Sequence, residues 1–372
     1  MQALERYLAR RPMPPAVVAD VGWVGGLAAV RQLARAGVPV IALDQRRNAL
    51  GFRSRHGFGV LSPDPLTDRD GYVETLVRLG DAFGRPAPIF PTADEHLNTI
   101  AGAAGELGRR FLHPFPAWEV LGRVQSRRFQ LERAAELGVP TPRTAGEPTD
   151  ELGFPVLVRP SDPLEFRRAF ERPALRCGTR AELDEAWERA RPYDPFVQEL
   201  IPGDDGEVVS LGSYLAADGE ALGLFCGRRP RRTGAGVGAR HAGEAVWVEA
   251  VVEQGLELLR GLGVCGIAQT EFQHDPRDGA FKLLEVKPRL WRWHGLAAAC
   301  GVDLPRIAYW DLLGARLPPV RSNGASRRPA IRNVGGTGPG PGRAPYVAAV
   351  FARDDPGPAL ARAARLVRGR DR

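Results

Sequence analysis

Apolar positions along the chain fall into short unbroken runs joined by stretches with helical spacing. Ala16 to Asp20 is such a run, followed by a glycine-rich turn (Gly22, Gly25, Gly26) and by Leu27, Val30, Leu33 and Ala34 at the spacing of one helix face. A second run, Val38 to Leu43, ends at Asp44. Strand, turn, helix and strand in this order predict an open α/β layer built on a parallel sheet. Pro88 to Pro91 adds a third unit, leading into TADEHLNTIAGAAGEL, which has a helix-start signature and helical periodicity.

Further along, the pattern changes. Helical spacing from Arg127 to Leu137 stops at Gly138, and Val-Pro-Thr-Pro follows as an extended exit. FPVLVRP (154–160) predicts a strand ended by proline, Ala181 to Ala190 a helix, and FVQELI (196–201) a strand broken at Pro202-Gly203-Asp204-Asp205-Gly206. VVSLGSYLAADG and EALGLFCGR form a hairpin around Asp218-Gly219. This second half predicts α+β structure with antiparallel strands.

The stretch from residue 267 to residue 291 carries the most chemistry. Two strand-like runs flank the turn signal Asp275-Pro276-Arg277-Asp278-Gly279. A turn centred near residue 278 places Glu271 opposite Glu285 on one face of the hairpin, where directly opposed Cβ atoms lie about 4.5 to 5.5 Å apart. Facing carboxylates repel unless something positive lies between them, and Mg²⁺ is a natural occupant. Neutralising one of them in the metal-free protein is therefore expected to be harmless or slightly stabilising. The alternative is a register slip that turns one glutamate to solvent.

Composition narrows the classes. A chain of 372 residues with 44% hydrophobic content supports two or three units. No apolar stretch is long enough to span a membrane, and charges interrupt the N-terminus MQALERYLARRPMPP, so the cytoplasm is expected. Cys177, Cys226, Cys265 and Cys300 are scattered and the six histidines form no ligand motif, which argues against zinc and redox sites. The net charge of +7 comes from the tail: residues 321–372 hold 11 arginines and 3 aspartates, leaving the first 320 residues near neutrality. A neutral body lacks the footprint of a nucleic-acid binder, and the tail reads as a solvated Pro/Gly/Arg-rich extension. Asp44 lies 22 residues after Gly22, the spacing of a ribose-binding acid in a dinucleotide fold. Gly22-Trp23-Val24-Gly25-Gly26 is not GxGxxG, however, and Trp23 is bulky where backbone must approach a pyrophosphate. Only Lys282 and Lys287 are lysines; every other Lys/Arg cation is arginine.

FPTADEHL, LGVPTPRT, FPVLVRP, VQELIPGDD, TEFQHDPRDG, LLEVKPRLWRWHGLA and AVFARDDPGPAL, in this order, resemble the ATP-grasp superfamily, particularly its carboxylate–amine ligase group, which includes D-aspartate ligase-like proteins. The resemblance implies an N-terminal pre-ATP-grasp domain of Rossmann-like form (1–118), a first ATP-grasp lobe with lid (119–200), a second lobe with the metal site (201–320) and a basic extension (321–372). It implies ATP and Mg²⁺, small-molecule carboxylate and amine substrates, and leaves a homodimer open. The activity implied is formation of an acyl phosphate and its capture by the amine; a decayed relative that binds nucleotide as a sensor or assembly partner is the alternative. By position, Arg127 and Arg159 correspond to phosphate-contacting lysines. The backbone of Gln198, Glu199, Leu200 and Ile201 corresponds to the hinge that reads adenine, with Asp205 near the ribose. Glu271 and Glu285 match the metal carboxylates, and Arg289 matches the arginine that meets the carboxylate or its acyl phosphate. Arg229 and His294 are substrate-side candidates. Two positions depart from the pattern: Lys287 replaces a metal-site asparagine, and Pro173 a nucleotide-contacting lysine. Lys287, on the same strand face as Glu285, is expected to pair with the carboxylates and partly replace a cation.

Overall fold

A computed structural model of the chain describes residues 2–9, 11–203, 207–228, 243–322, 331–332 and 347–367. The apolar runs of the first hundred residues become β1 (Ala16–Ala19), β2 (Val40–Asp44) and β4 (Ala87–Pro91), buried throughout. With β3 (Phe58–Leu61) and β5 (Phe111–Leu112) they form a parallel sheet in the order β3-β2-β1-β4-β5. The helix Val24–Arg35 packs against it through a close turn: a Cβ on Gly26 would lie 2.3 Å from the Asp20 carbonyl oxygen, so only glycine fits there.

A four-stranded sheet follows, β6 (Thr144–Ala145), β7 (Val156–Pro160), β8 (Leu175–Cys177) and β9 (Pro195–Glu199), in the order β6-β9-β7-β8. It has a core of its own, formed with the helices Pro163–Phe170 and Arg180–Ala190 around Val156, Val158, Phe166, Leu183 and Val197. The third sheet is antiparallel at its centre, β12-β11-β10-β13-β14, where β10 is Val208–Leu215, β11 Ala221–Arg228, β12 Glu244–Ala245, β13 Gly266–His274 and β14 Phe281–Lys287; β15 (Val320–Arg321) adds to β11 in parallel.

The first and third sheets share one core. Val18, Val30 and Phe90 pack in a cluster with Tyr214, Phe225, Ile267, Trp291, Trp293 and Tyr309. The body is thus continuous across two segments far apart in sequence, and the four-stranded lobe stands apart from it in its packing. The basic extension is not wholly solvated. Asp355 is buried against Arg31, whose Nε donates to it at 2.8 Å, and Val350 packs with Val24, Leu27 and Leu50. The helix Gly357–Val367 follows this anchor. No helix among the described residues is long and apolar enough to cross a membrane.

Candidate active site

The β13–β14 hairpin sets the centre of the site. Glu271 and Glu285 are direct register partners, as are Gln269 and Lys287. Between Glu285 and the turn the register shifts by one, leaving Leu284 as the extra residue of a bulge. Such a bulge strengthens the local twist and re-aims the side chains beside it.

The position between the carboxylates is taken. Lys287 Nζ lies 2.6 Å from Glu271 Oε2 and also contacts Glu285 Oε1. Arg127, the first residue of the helix Arg127–Glu136, reaches Glu285 Oε2 at 2.6 Å. Gln269 and Ser210 approach Glu271 Oε1 at 3.4 and 3.5 Å. Burial would raise the Glu285 carboxyl, but Lys287 and Arg127 outweigh it and hold the group well below the usual carboxylate range. The expected repulsion is therefore already compensated, and the expectation that neutralising one carboxylate is harmless is corrected: removing Glu285 removes ion pairs.

Two buried guanidiniums face this centre from other elements. The helix start at Arg127 is fixed by its cap Ser126 and by the bond from its backbone N–H to the Ser161 carbonyl at 2.9 Å. Arg159, on β7, donates from Nη1 to Gln198 Oε1 on β9 at 2.7 Å. Burial, then the like charge of Arg127, lowers the Arg159 guanidinium to about 9, so it stays charged at neutral pH. Arg127 Nε and Nη1, Arg159 Nε and Gln198 Nε2 are buried with no protein partner among the described residues.

Glu199 is placed differently from Gln198. Its carboxylate is pinned by Arg143 at 3.2 Å and Arg277 at 3.0 Å, with Lys282 at 3.7 Å, so its side chain belongs to a charge cluster with Asp275 at the end of the hairpin. Leu200 donates its N–H to the Pro155 carbonyl at 3.4 Å, and the Ile201 carbonyl accepts from Gln273 Nε2 at 3.3 Å. Asp205 and Arg229 lie outside the described residues.

Arg289 is held by a partner that sequence reading missed. Its Nε and Nη2 donate to the two Asp94 oxygens at 2.5 and 2.8 Å, a bidentate pair from the helix after β4 to the segment after β14. Burial acts against both charges, yet each holds the other ionised, with the Asp94 carboxyl lowered and the Arg289 guanidinium raised. Asp94 stands at the start of the helix Asp94–Gly102, where FPTADEHL signals only a helix start. His294 is buried, 1% exposed, and its Nε2 donates to the Gly25 carbonyl at 2.9 Å, tying the segment after β14 to the start of the helix Val24–Arg35.

The nearby N-terminal turn has its own occupant. Arg46 pairs with Asp44 at 2.9 Å and with Asp20, and its Nη2 lies 2.2 Å from where a Cβ on Gly22 would be. Asp44, the candidate ribose acid, is buried and spent on this pair.

No family model matches the chain. It is 25% identical over 273 residues to the D-aspartate ligase of Enterococcus faecium (strain Aus0004), covering 66% of this chain and 65% of that one. The chain thus spans just under two thirds of that relative's length. Among solved structures, biotin carboxylase from Campylobacter jejuni, a β,γ-ATP complex, superposes with a TM-score of 0.64 at 14% identity, over 82% of this chain and 72% of that one. L-amino acid ligase from Bacillus licheniformis superposes with a TM-score of 0.60 at 17% identity, over 86% and 78%.

Proposed function

We propose that this chain, a member of the ATP-grasp superfamily in its carboxylate–amine ligase group, uses ATP to activate a carboxylate as an acyl phosphate and joins it to an amine, releasing ADP and phosphate. The observation that carries the reading is the pair Arg127 and Arg159. Both are buried beside the carboxylate hairpin with N–H donors left over. A buried donor without a partner costs about 1–3 kcal/mol, and a polyphosphate is the ligand whose oxygens match two converging guanidiniums. The biotin carboxylase complex with ATP and the L-amino acid ligase share this fold.

Each residue then has a task. Arg127 and Arg159 hold the phosphates, and their fixed charge meets the charge that develops on the transferred group. Gln198 orients Arg159, while the backbone of Glu199, Leu200 and Ile201 lines the base. Asp205 is assigned to the ribose and Arg229 to a substrate. Arg289, kept in one orientation by Asp94, directs its guanidinium to the acid and its acyl phosphate. The four-stranded lobe, with its own core, closes over the reaction and excludes water, which would otherwise hydrolyse the acyl phosphate.

Mg²⁺ accompanies the nucleotide in this reading, and Glu271 and Glu285 are donors of the type it takes. Yet all four of their oxygens already have partners and Lys287 lies between them, so the residues do not fit a cation shared by the two carboxylates in this arrangement. In this reading the enzyme works in the cytoplasm on small-molecule acid and amine substrates. A screen of acid–amine pairs for coupled ADP release tests the function. ADP formed only when both are present, in step with an amide product, is the expected result; ADP formed equally without acid would contradict it.

A further inference from the structure

We propose that Lys287 is a resident cation that permanently fills the bridging position between Glu271 and Glu285, so that this site works with one divalent ion fewer than a bare carboxylate pair would take. The ammonium contacts an oxygen of each glutamate, and the remaining oxygen of Glu285 is held by Arg127. Glu271 is 2% exposed. A buried carboxylate facing a second, half-buried one with no cation between them would be unstable. Lys287, Arg127 and Arg159 bring three positive charges to two negative ones, so the cluster is already compensated before any metal arrives.

The rarity of lysine supports the same conclusion. The chain uses arginine for nearly every cation, yet both of its lysines lie on β14 and both sit among carboxylates. Lys282 Nζ lies 2.6 Å from Asp275, 3.0 Å from Asp278 and 3.7 Å from Glu199. A guanidinium is a planar fork that suits bidentate pairing, whereas an ammonium is a compact point charge with three donors. Only the latter can stand where a small ion would. Of the two lysines, Lys287 is the one whose ammonium contacts both members of the facing pair Glu271 and Glu285.

The test uses the full chain with Mn²⁺, followed by electron paramagnetic resonance, and Mg²⁺ in thermal melts. Without nucleotide, the parent should retain no Mn²⁺ at the pair and its melting temperature should not respond to Mg²⁺. Lys287→Asn should melt several degrees lower, recover with Mg²⁺ and gain one Mn²⁺ per chain. The double variant Lys287→Asn/Glu271→Gln, which loses one charge of each sign, should fold and gain none. If the single variant folds only with Mg²⁺, the proposal is supported; if it fails even with Mg²⁺ while the double variant folds, it is overturned. It is equally overturned if the parent holds a Mn²⁺ that Glu271→Gln abolishes, or if Lys287→Asn gains neither ion nor stability. A second arm rests on the nucleotide reading: with a non-hydrolysable ATP analogue, Lys287→Asn should hold one Mn²⁺ more than the parent, and equal numbers in the two would overturn the proposal. Failure of both proteins to bind the analogue, with the first arm intact, would sink the ligase reading and leave the resident cation standing.

Discussion

Glu285 shows how far local reading reaches and where it stops. Its place opposite Glu271 follows from the period of a strand and the position of one turn, both visible in sequence. Its partners do not: Arg127 is 158 residues away, and the Asp94–Arg289 pair is separated by 195. Pairing at such range is set by tertiary packing, which leaves no periodicity to read. Glu285→Gln should lower ATP turnover by at least about 100-fold, the scale of losing a fixed charge at a phosphoryl site. It should also cost the apoprotein about 1–3 kcal/mol, because the buried Arg127 loses its partner. A urea melt that shows the variant to be more stable would restore the repulsion account. His294 gives a pH test. Burial outweighs its bond to Gly25 and lowers the imidazole to about 4. The folded protein keeps it neutral while the unfolded chain protonates near 6.5, so its contribution is complete above about 6.5 and is lost as pH falls to about 4. The loss is on the order of 3 kcal/mol at most. The parent should therefore lose more stability over this window than His294→Asn does, and parallel pH curves would show that the ring titrates freely.

At the scale of elements, β1, β2 and β4 were legible because strands buried on both faces read as unbroken apolar runs. β3 alternates between half-buried and exposed positions at the sheet edge, and β5 has two residues, so neither produced a signal. The bulge at Leu284 was also hidden, since the turn residues mark where a hairpin reverses but not where its register slips. The Arg-rich tail gives two signals, because AVFARDDPGPAL within it resembles a family segment that packs on the body. Its composition suggests solvent, but a single buried anchor overrides composition locally. Asp355, 1% exposed, accepts from Arg31, from Ser54 Oγ at 2.8 Å and from the Arg55 backbone N–H at 3.0 Å. Asp355→Ala should destabilise the protein by about 3–5 kcal/mol, because it leaves Arg31 buried and unpaired. Chemical denaturation measures this directly, and a change below about 0.5 kcal/mol, as at an ordinary surface site, would show that the tail merely rests on the body.

For the whole molecule, the shared core of the first and third sheets makes a single platform, against which the four-stranded lobe brings Arg159 and Gln198 toward Arg127 and the hairpin. This predicts where nucleotide goes. Mg·ATP at 100 times its dissociation constant should stabilise the chain by about 2.7 kcal/mol, whereas NAD should not, because Arg46 fills the glycine turn and Asp44 is already paired. Stabilisation by NAD alone would reverse that assignment. The central claim is that ATP activates a carboxylate on this platform, and its most direct test replaces the unknown amine with hydroxylamine. Over a panel of carboxylic acids, at least one acid should give ADP and hydroxamate in equal amounts, and Glu285→Gln should give neither. Full binding of Mg·ATP with no hydroxamate from any acid would contradict the claim, leaving a nucleotide-binding protein without transfer.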